Sequence, residues 1–150
     1  MRQCEESCRD LLDYLTARVV YYELEPLLVA SLYLPTPESG RVSGVLGKLG
    51  AMLREMHGTV TPRWEQRLLE SVLSTTAIAI GAVIELPNRR FDKGHKAVLD
   101  EDIEALGSFF LREAHGVLEE QVVRNSLGFL YAIGDAACGG ARRASLHGAL

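Results

Sequence analysis

The densest group of carboxylates in the sequence is formed by Asp100, Glu101, Asp102 and Glu104. General acid–base catalysis needs two carboxylates that converge across a cleft, in environments that separate their pKa values. These four instead follow one another at a predicted helix start, where Asp100 can cap the helix and acidic side chains interact favourably with the helix dipole. The pattern therefore predicts a structural role for this group, and neither a catalytic nor a metal site.

The remaining residue types that carry chemistry do not assemble into a recognisable site. The four histidines are scattered and show no HxxxH or HExxH spacing: His57, His95, His115 and His147. Gly47-Lys48 is followed by Leu49, whereas a P-loop needs Ser or Thr there to meet magnesium and phosphate. No GxSxG nucleophile elbow is present. We therefore expect no catalytic, cofactor-binding or metal-binding residues, and no enzyme.

Two short basic segments offer other functions. Residues 142–146, Arg-Arg-Ala-Ser-Leu, match the pattern favoured by basophilic protein kinases, which makes Ser145 a candidate phosphosite. Residues 88–97 place four cations around Phe91: Arg89, Arg90, Lys93 and Lys96. Such a loop could contact an acidic membrane surface. The preferred interpretation is a solvated loop whose Phe91 packs into the protein.

Composition narrows the class of protein. The chain of 150 residues has 47% hydrophobic and 24% charged residues, values typical of one globular domain. Its net charge of −4 gives no basic footprint for nucleic acid. The longest apolar stretch, residues 77–84, is too short to span a membrane, and charges occupy the first ten residues where a secretory signal would be apolar. These features predict a cytoplasmic protein.

Hydrophobic periodicity predicts helices throughout. The first helix has an apolar stripe at steps of three and four: Leu12, Leu15, Val19, Tyr22, Pro26, Val29 and Tyr33. Pro26 predicts a kink or break within it. Breaks near 35–40, 57–61, 87–98 and 115–117 separate the later helices, and Gly44, Gly47 and Gly50 offer a smooth strip for helix packing. The sequence predicts an all-α bundle of five to six antiparallel helices over residues 1–138, with 139–150 as a flexible tail.

One part of the chain resembles a known family. An apolar helix ending in AIGAVIEL is followed by a loop with Arg90-Phe91 and by the helix LDEDIEALGSFFLREAHG. This order resembles the C-terminal part of a MUN domain, the second Munc homology domain, in its plant and algal branch. The best match covers residues 70–138, and the proline usual after the turn is absent. The motif positions are packing positions: Phe91, Leu99, Asp102, Leu106, Phe109, Phe110 and Gly116.

The resemblance implies the end of an elongated helical rod that acts as a scaffold in vesicle tethering, priming or exocytic delivery to the plasma membrane. It implies SNARE-type protein partners and a peripheral position at a vesicle or the plasma membrane. It also implies an exposed apolar patch where the rest of the rod would dock. The alternative is a stand-alone ligand-binding or regulatory domain, with a pocket between helices that is lined by Leu46, Leu49, Val72 and Ala79.

Overall fold

The structure is a computed structural model that describes residues 2–58 and 60–139. It contains α1 (Arg2–Ala17), a π-helical segment (Arg18–Leu24), α2 (Glu25–Ser31), α3 (Ser43–Met56), α4 (Pro62–Ile84), a 3-10 turn (Lys93–His95), α5 (Lys96–Glu113) and α6 (Glu120–Cys138). No strand occurs in these ranges. The prediction of an all-α bundle is therefore confirmed.

The helices pack in two layers. One layer holds α1, α4 and α6: Thr16 Oγ1 on α1 lies 2.9 Å from Ser71 Oγ on α4, and Gly81 on α4 approaches α6 closely. The other layer holds α3 and α5, which are joined by an ion pair between Arg54 and Glu113 at 3.2 Å. One contiguous apolar core lies between the layers.

Contacts along the helices give their directions. Arg41, just before α3, contacts Asp102 in the first half of α5, whereas Arg54 near the end of α3 contacts Glu113 at the end of α5. The two helices of this layer therefore run parallel. By contrast, Lys96 at the start of α5 donates to the Tyr131 carbonyl in the second half of α6. Helices α5 and α6, which follow one another in the chain, are antiparallel.

The predicted stripe on the first helix is wrong between Val19 and Tyr33. Tyr22 is 77% exposed and Val29 is also exposed. The side chains buried there follow one another at intervals of four: Val20, Leu24, Leu28 and Leu32. The cause is the π segment, where the Glu25 amide bonds to the Val20 carbonyl five residues back, so each turn takes up more residues than the α-helical pattern assumes. Pro26 follows directly and has no amide hydrogen to continue an α-helical ladder.

The longest helix, α4, forms the centre of its layer. Val72, Leu73 and Ala77 are fully buried. The helix is long and apolar enough to cross a membrane, with a mean hydropathy of 1.5 over its most apolar window, yet 61% of that window is buried inside the protein. Packing against α1 and α6 accounts for this apolar character without a membrane, since the core helix of a bundle has the same composition.

Candidate functional site: a buried carboxylate and two grooves

The 3-10 turn, and not Asp100, sets the start of α5. Asp92 accepts a hydrogen bond from the Gly94 amide at 2.8 Å, and the Asp92 amide donates to His95 Nδ1 at 3.1 Å, which together form a capping box. The helix then begins at Lys96, so the four carboxylates lie beyond its first turn. The prediction that they occupy a helix start is therefore wrong. Asp100 instead accepts a hydrogen bond from Lys96 Nζ at 2.6 Å.

Asp102 points into the core and is only 3% exposed. Its Oδ2 accepts hydrogen bonds from the Tyr33 hydroxyl at 2.7 Å and from the Val42 amide at 3.3 Å. Its Oδ1 accepts one from Arg41 Nε at 3.0 Å. A buried carboxylate requires such partners because burial without them is costly. Asp102 therefore ties the segment between α2 and α3 to α5, across a large part of the sequence.

Electrostatics keep the Tyr33 phenol protonated and the Arg41 guanidinium charged. The hydrogen bond to Asp102 raises the pKa of the Arg41 guanidinium, which also lies 3.2 Å from Glu101. Burial, followed by the negative charge of Asp102, raises the pKa of the Tyr33 phenol far above its ordinary value. The phenol therefore stays protonated and keeps donating. The adjoining cavity is only about 10 Å³, which holds at most one water and no substrate. The arrangement serves structure and has no room for catalysis.

The connection between α2 and α3 requires two unusual backbone positions. Tyr33 has a positive φ of 56°, a conformation uncommon for any residue but glycine. Its amide donates to the Gly40 carbonyl at 2.7 Å. A Cβ atom on Gly40 would lie 2.1 Å from the Ser31 carbonyl oxygen, so only glycine fits there. The hydrogen bond from the Tyr33 side chain to Asp102 holds this loop in place.

A second buried charged side chain, Arg89, caps the C-terminal end of the continuous helix formed by α1, the π-helical segment and α2. Its guanidinium donates to the carbonyl oxygens of Leu32 and Leu28, each at 3.0 Å, and of Val29 at 2.6 Å. The last carbonyls of a helix lack onward helical partners, and a cation at a helix C-terminus is favourable. Burial lowers the pKa of Arg89, but an arginine stays charged at neutral pH. Nothing in the local sequence distinguishes this arginine from its neighbour Arg90.

The basic loop around Phe91 presents fewer cations than its sequence indicates. Phe91 is buried, with its ring edge-on to that of Tyr33 at a centroid distance of 5.8 Å. Arg89 is buried as described above, and Lys96 Nζ pairs with Asp100 at 2.6 Å and with a carboxylate on α6 at 3.2 Å. Arg90 and Lys93 are the two cations of this loop that remain exposed.

The other predicted positions are dispersed. Four of the motif residues are buried in the core on α5: Leu99, Leu106, Phe109 and Phe110. Gly116 is no packing position: it is exposed, with a positive φ of 86° that favours glycine in the turn between α5 and α6. Within the described ranges, no three His, Cys, Asp or Glu side chains form a group suited to a metal ion. Ser145 and His147 lie outside the described residues.

Two open grooves lie on the surface of the described chain, and the sequence pattern predicts neither. The first, the α1–α3 groove, has a volume of about 480 Å³. Its floor is apolar and its rim is charged, with these lining residues: Leu11, Leu15, Arg18, Val19, Glu23, Met52, Glu55 and Met56. The sequence does contain a hint of this groove: Leu11 and Leu15 make the apolar face of α1 wider than its buried stripe.

The second, the α5–α6 groove, has a volume of about 530 Å³. Gly107 forms its floor, where a Cβ atom would lie 3.3 Å from Leu127. Its lining is more polar than that of the first groove: Ile103, Glu104, Gly107, Ser108, Leu111, Glu120, Val123, Arg124, Leu127 and Tyr131. The pocket predicted between α3 and α4 involves other residues. Three of these, Leu49, Val72 and Ala79, are buried core positions that line neither groove.

Comparison with known proteins corrects the family assignment. The family model described as PATROL1-like, TPR repeats matches residues 1–131. The resemblance to a MUN domain is therefore wrong, because this is a different family and its match includes the first 60 residues, which that resemblance left unexplained. The motif positions, such as Leu99 and Phe109, are core residues of a kind that many amphipathic helices share. They indicate helix packing and not a particular family.

The two-layer arrangement agrees with this match. Helical repeats stack antiparallel helix pairs so that equivalent helices run parallel within a layer, and their extended surfaces mediate protein–protein interaction. No curated protein and no solved structure matches the chain. The chain belongs to the PATROL1-like family of TPR-repeat proteins.

Proposed function

We propose that this chain is a non-enzymatic scaffold module in vesicle tethering, priming or exocytic delivery, and that it binds an amphipathic helix of a protein partner in the α1–α3 groove. The observation that carries the proposal is the groove itself, an apolar floor bordered by charges on two exposed helices. Helix-in-groove binding uses this combination: apolar anchors supply affinity and rim charges fix orientation. The PATROL1-like family is related to MUN-domain proteins in trafficking role, which supports the assignment to vesicle traffic.

The dimensions of the groove suit a helix. Its lining on the long first helix extends from Leu11 to Glu23, which at 1.5 Å per residue corresponds to roughly 18 Å, or about three helical turns. Met52 and Met56 form the opposite wall. Methionine side chains are flexible and polarizable, so they adapt to partners of different shape. SNARE-type fusion proteins are the partner class that we propose.

The rim of the α1–α3 groove carries charged side chains that can pair with charges on a partner helix. Arg18 and Glu55 have no ion-pair partner among the residues that the structure describes, and Glu23 has only a long contact with Lys48, at 3.8 Å. These charges are available to opposite charges on the partner helix. Rim charges affect the association rate and its salt dependence more than the final affinity. We therefore expect binding to weaken only modestly as salt is raised.

A cytoplasmic location at a vesicle or the plasma membrane would follow from such a partner. Direct contact with acidic lipid has less support, because Arg90 and Lys93 are the cations of the basic loop that remain exposed. Two cations attract an acidic membrane weakly, at about 1 kcal/mol each. We expect the purified chain not to sediment with phosphatidylserine-rich vesicles unless the protein partner is present.

The test is fluorescence anisotropy of labelled SNARE-motif peptides titrated with the full chain. Leu11→Glu places a charge on the apolar lining of the groove and should weaken binding by about tenfold or more, equivalent to at least about 1.4 kcal/mol. Tyr14→Glu is the matched control, since Tyr14 is 61% exposed on the same helix and lies outside the groove. Equal loss in both variants, or no binding by the unmodified chain, would overturn the proposal.

A further inference from the structure

Exposed apolar side chains are concentrated on the continuous helix formed by α1, the π-helical segment and α2. Of the seven large hydrophobic residues exposed in the described chain, five lie on this helix: Leu11, Tyr14, Tyr21, Tyr22 and Val29. The three tyrosines line neither groove. Tyrosine is enriched at the centres of protein–protein interfaces, where its ring supplies a large contact area. This outer face is therefore a candidate interaction surface.

A row of residues on this face carries one negative, one aromatic and one positive side chain at intervals of four. Asp10, Tyr14 and Arg18 are all exposed. Asp10 and Arg18 lie about 40° to either side of Tyr14 around the helix, and about 6 Å before and after it along the axis. The other charged residues of this part of α1 lie about 80° or more around the helix from Tyr14: Glu5, Glu6, Arg9 and Asp13.

The two charges of the row have no ion-pair partner among residues 2–58 and 60–139. Arg18 makes no such pair although Glu55 lines the same groove. On the flanks of the helix, by contrast, Glu5 lies 4.0 Å from Arg63 and Glu23 lies 3.8 Å from Lys48. Asp10 and Arg18 are therefore free to pair with charges of another molecule.

We propose that this row is the contact of a symmetric homodimer, in which the first helices of two copies cross antiparallel at Tyr14. A two-fold axis at Tyr14 places Asp10 of each copy beside Arg18 of the other, because both residues lie four positions from the axis. Rows at intervals of four pack into one another when two helices cross at about 50°. The two Tyr14 rings then meet at the centre, between two ion pairs.

Charge complementarity favours a second copy as the occupant, because the row becomes its own complement when it is reversed. A parallel pair would instead place Asp10 against Asp10 and Arg18 against Arg18, and like charges oppose association. The contact is short, since the row is only about 12 Å long. It is smaller than the roughly 800 Å² per partner of a standard interface, so we expect a weak and reversible dimer.

Sedimentation velocity of the full chain from about 1 to 300 µM tests the proposal, since weak dimers dissociate in this range. The unmodified chain should shift from monomer to dimer as its concentration rises. Asp10→Arg should weaken dimerisation by about tenfold or more, because arginines then face each other. Adding Arg18→Asp should restore it, because both pairs are reversed in sign. Peptide binding in the α1–α3 groove is a separate measurement, since Asp10 does not line that groove.

The matched control is Asp13→Arg, which makes the same change of charge at an exposed position outside the row and should leave dimerisation unchanged. Circular dichroism verifies the fold of every variant. Equal weakening by Asp10→Arg and Asp13→Arg would overturn the proposal. So would a monomer at every concentration, which would leave this face to another protein.

Disulfide trapping tests the antiparallel direction. The native thiols are first removed: Cys4→Ser, Cys8→Ser and Cys138→Ala. A chain with Asp10→Cys is then mixed with a chain with Arg18→Cys, so that the mixed dimer keeps one of its two ion pairs. The mixture should form an intermolecular disulfide about tenfold faster than either variant alone, since pairing raises the effective concentration. A faster reaction of the Arg18→Cys chain with itself would indicate a parallel pair and contradict the proposal.

Discussion

At the scale of single residues, one buried carboxylate connects distant parts of the chain. Asp102 lies 69 positions from Tyr33 and 61 from Arg41, yet hydrogen-bonds to both. Each of its oxygens is used, so the cluster acts as a fixed polar contact between the loop after α2 and helix α5. Removing one partner from such a cluster costs more than the cluster itself contributes, because the others remain buried without a partner.

Asp102→Ala is expected to lower the free energy of unfolding by about 3 kcal/mol, since it leaves the Tyr33 hydroxyl and the Val42 amide unsatisfied and removes the buried partner of Arg41. Urea denaturation followed by circular dichroism measures the change. Glu101→Ala is the control: its side chain is 68% exposed, and exposed ion pairs contribute at most about 1 kcal/mol. Similar losses in both variants would show that burial of Asp102 does not matter.

At the scale of helices, register decides which residues are buried. The π segment shifts the buried face of the first helix, and the capping box at Asp92 places the start of α5 before the carboxylates. The three glycines that were predicted to form a packing strip on α3 also differ in their surroundings. A Cβ atom placed on Gly44 or Gly47 would have no atom within 4 Å, whereas one on Gly50 would lie 3.4 Å from the Phe109 ring. Of the three glycines, Gly50 alone is at a helix contact.

Gly47→Ala is therefore expected to stabilise the protein by about 0.5–1 kcal/mol, because alanine has the higher helix propensity and the added methyl meets nothing. Gly50→Ala should gain less or lose stability, since its methyl must displace the Arg54 side chain and press on Phe109. Thermal unfolding of the two single variants measures this. A larger gain at position 50 than at position 47 would contradict the assigned packing of α3 on α5.

At the scale of the whole molecule, the two layers share a single core and leave a groove at each open end of the second layer. Residues from all six α-helices contribute to that core. The α1–α3 groove and the α5–α6 groove lie on the outer sides of α3 and α5. This is the geometry of a stacked helical array, in which each helix pair contacts its neighbours and the ends remain open to further segments.

The shared core predicts that the protein unfolds as one unit. Leu49→Ala on α3 and Leu130→Ala on α6 each remove a fully buried side chain, and each should lower the unfolding free energy by about 2–4 kcal/mol. The fluorescence of Trp64, in the first turn of α4, and the far-ultraviolet circular dichroism should report the same midpoint in both variants. Separate midpoints would show that the helix pairs unfold independently.

Local sequence patterns were sufficient to predict the helical class, most helix breaks and the buried face of α5, because apolar spacing, proline and glycine act within a few residues. They could not identify the family, since shared packing positions such as Leu99 and Phe109 carry no family-specific chemistry. Three features became visible only in the folded chain: the hydrogen-bond partners of Asp102, the closure of a helix end by Arg89 from 57–61 positions away, and the two open grooves. The four carboxylates of residues 100–104 show why. Four neighbours along the chain met different surroundings, and a side chain's role depends on partners that local spacing does not encode.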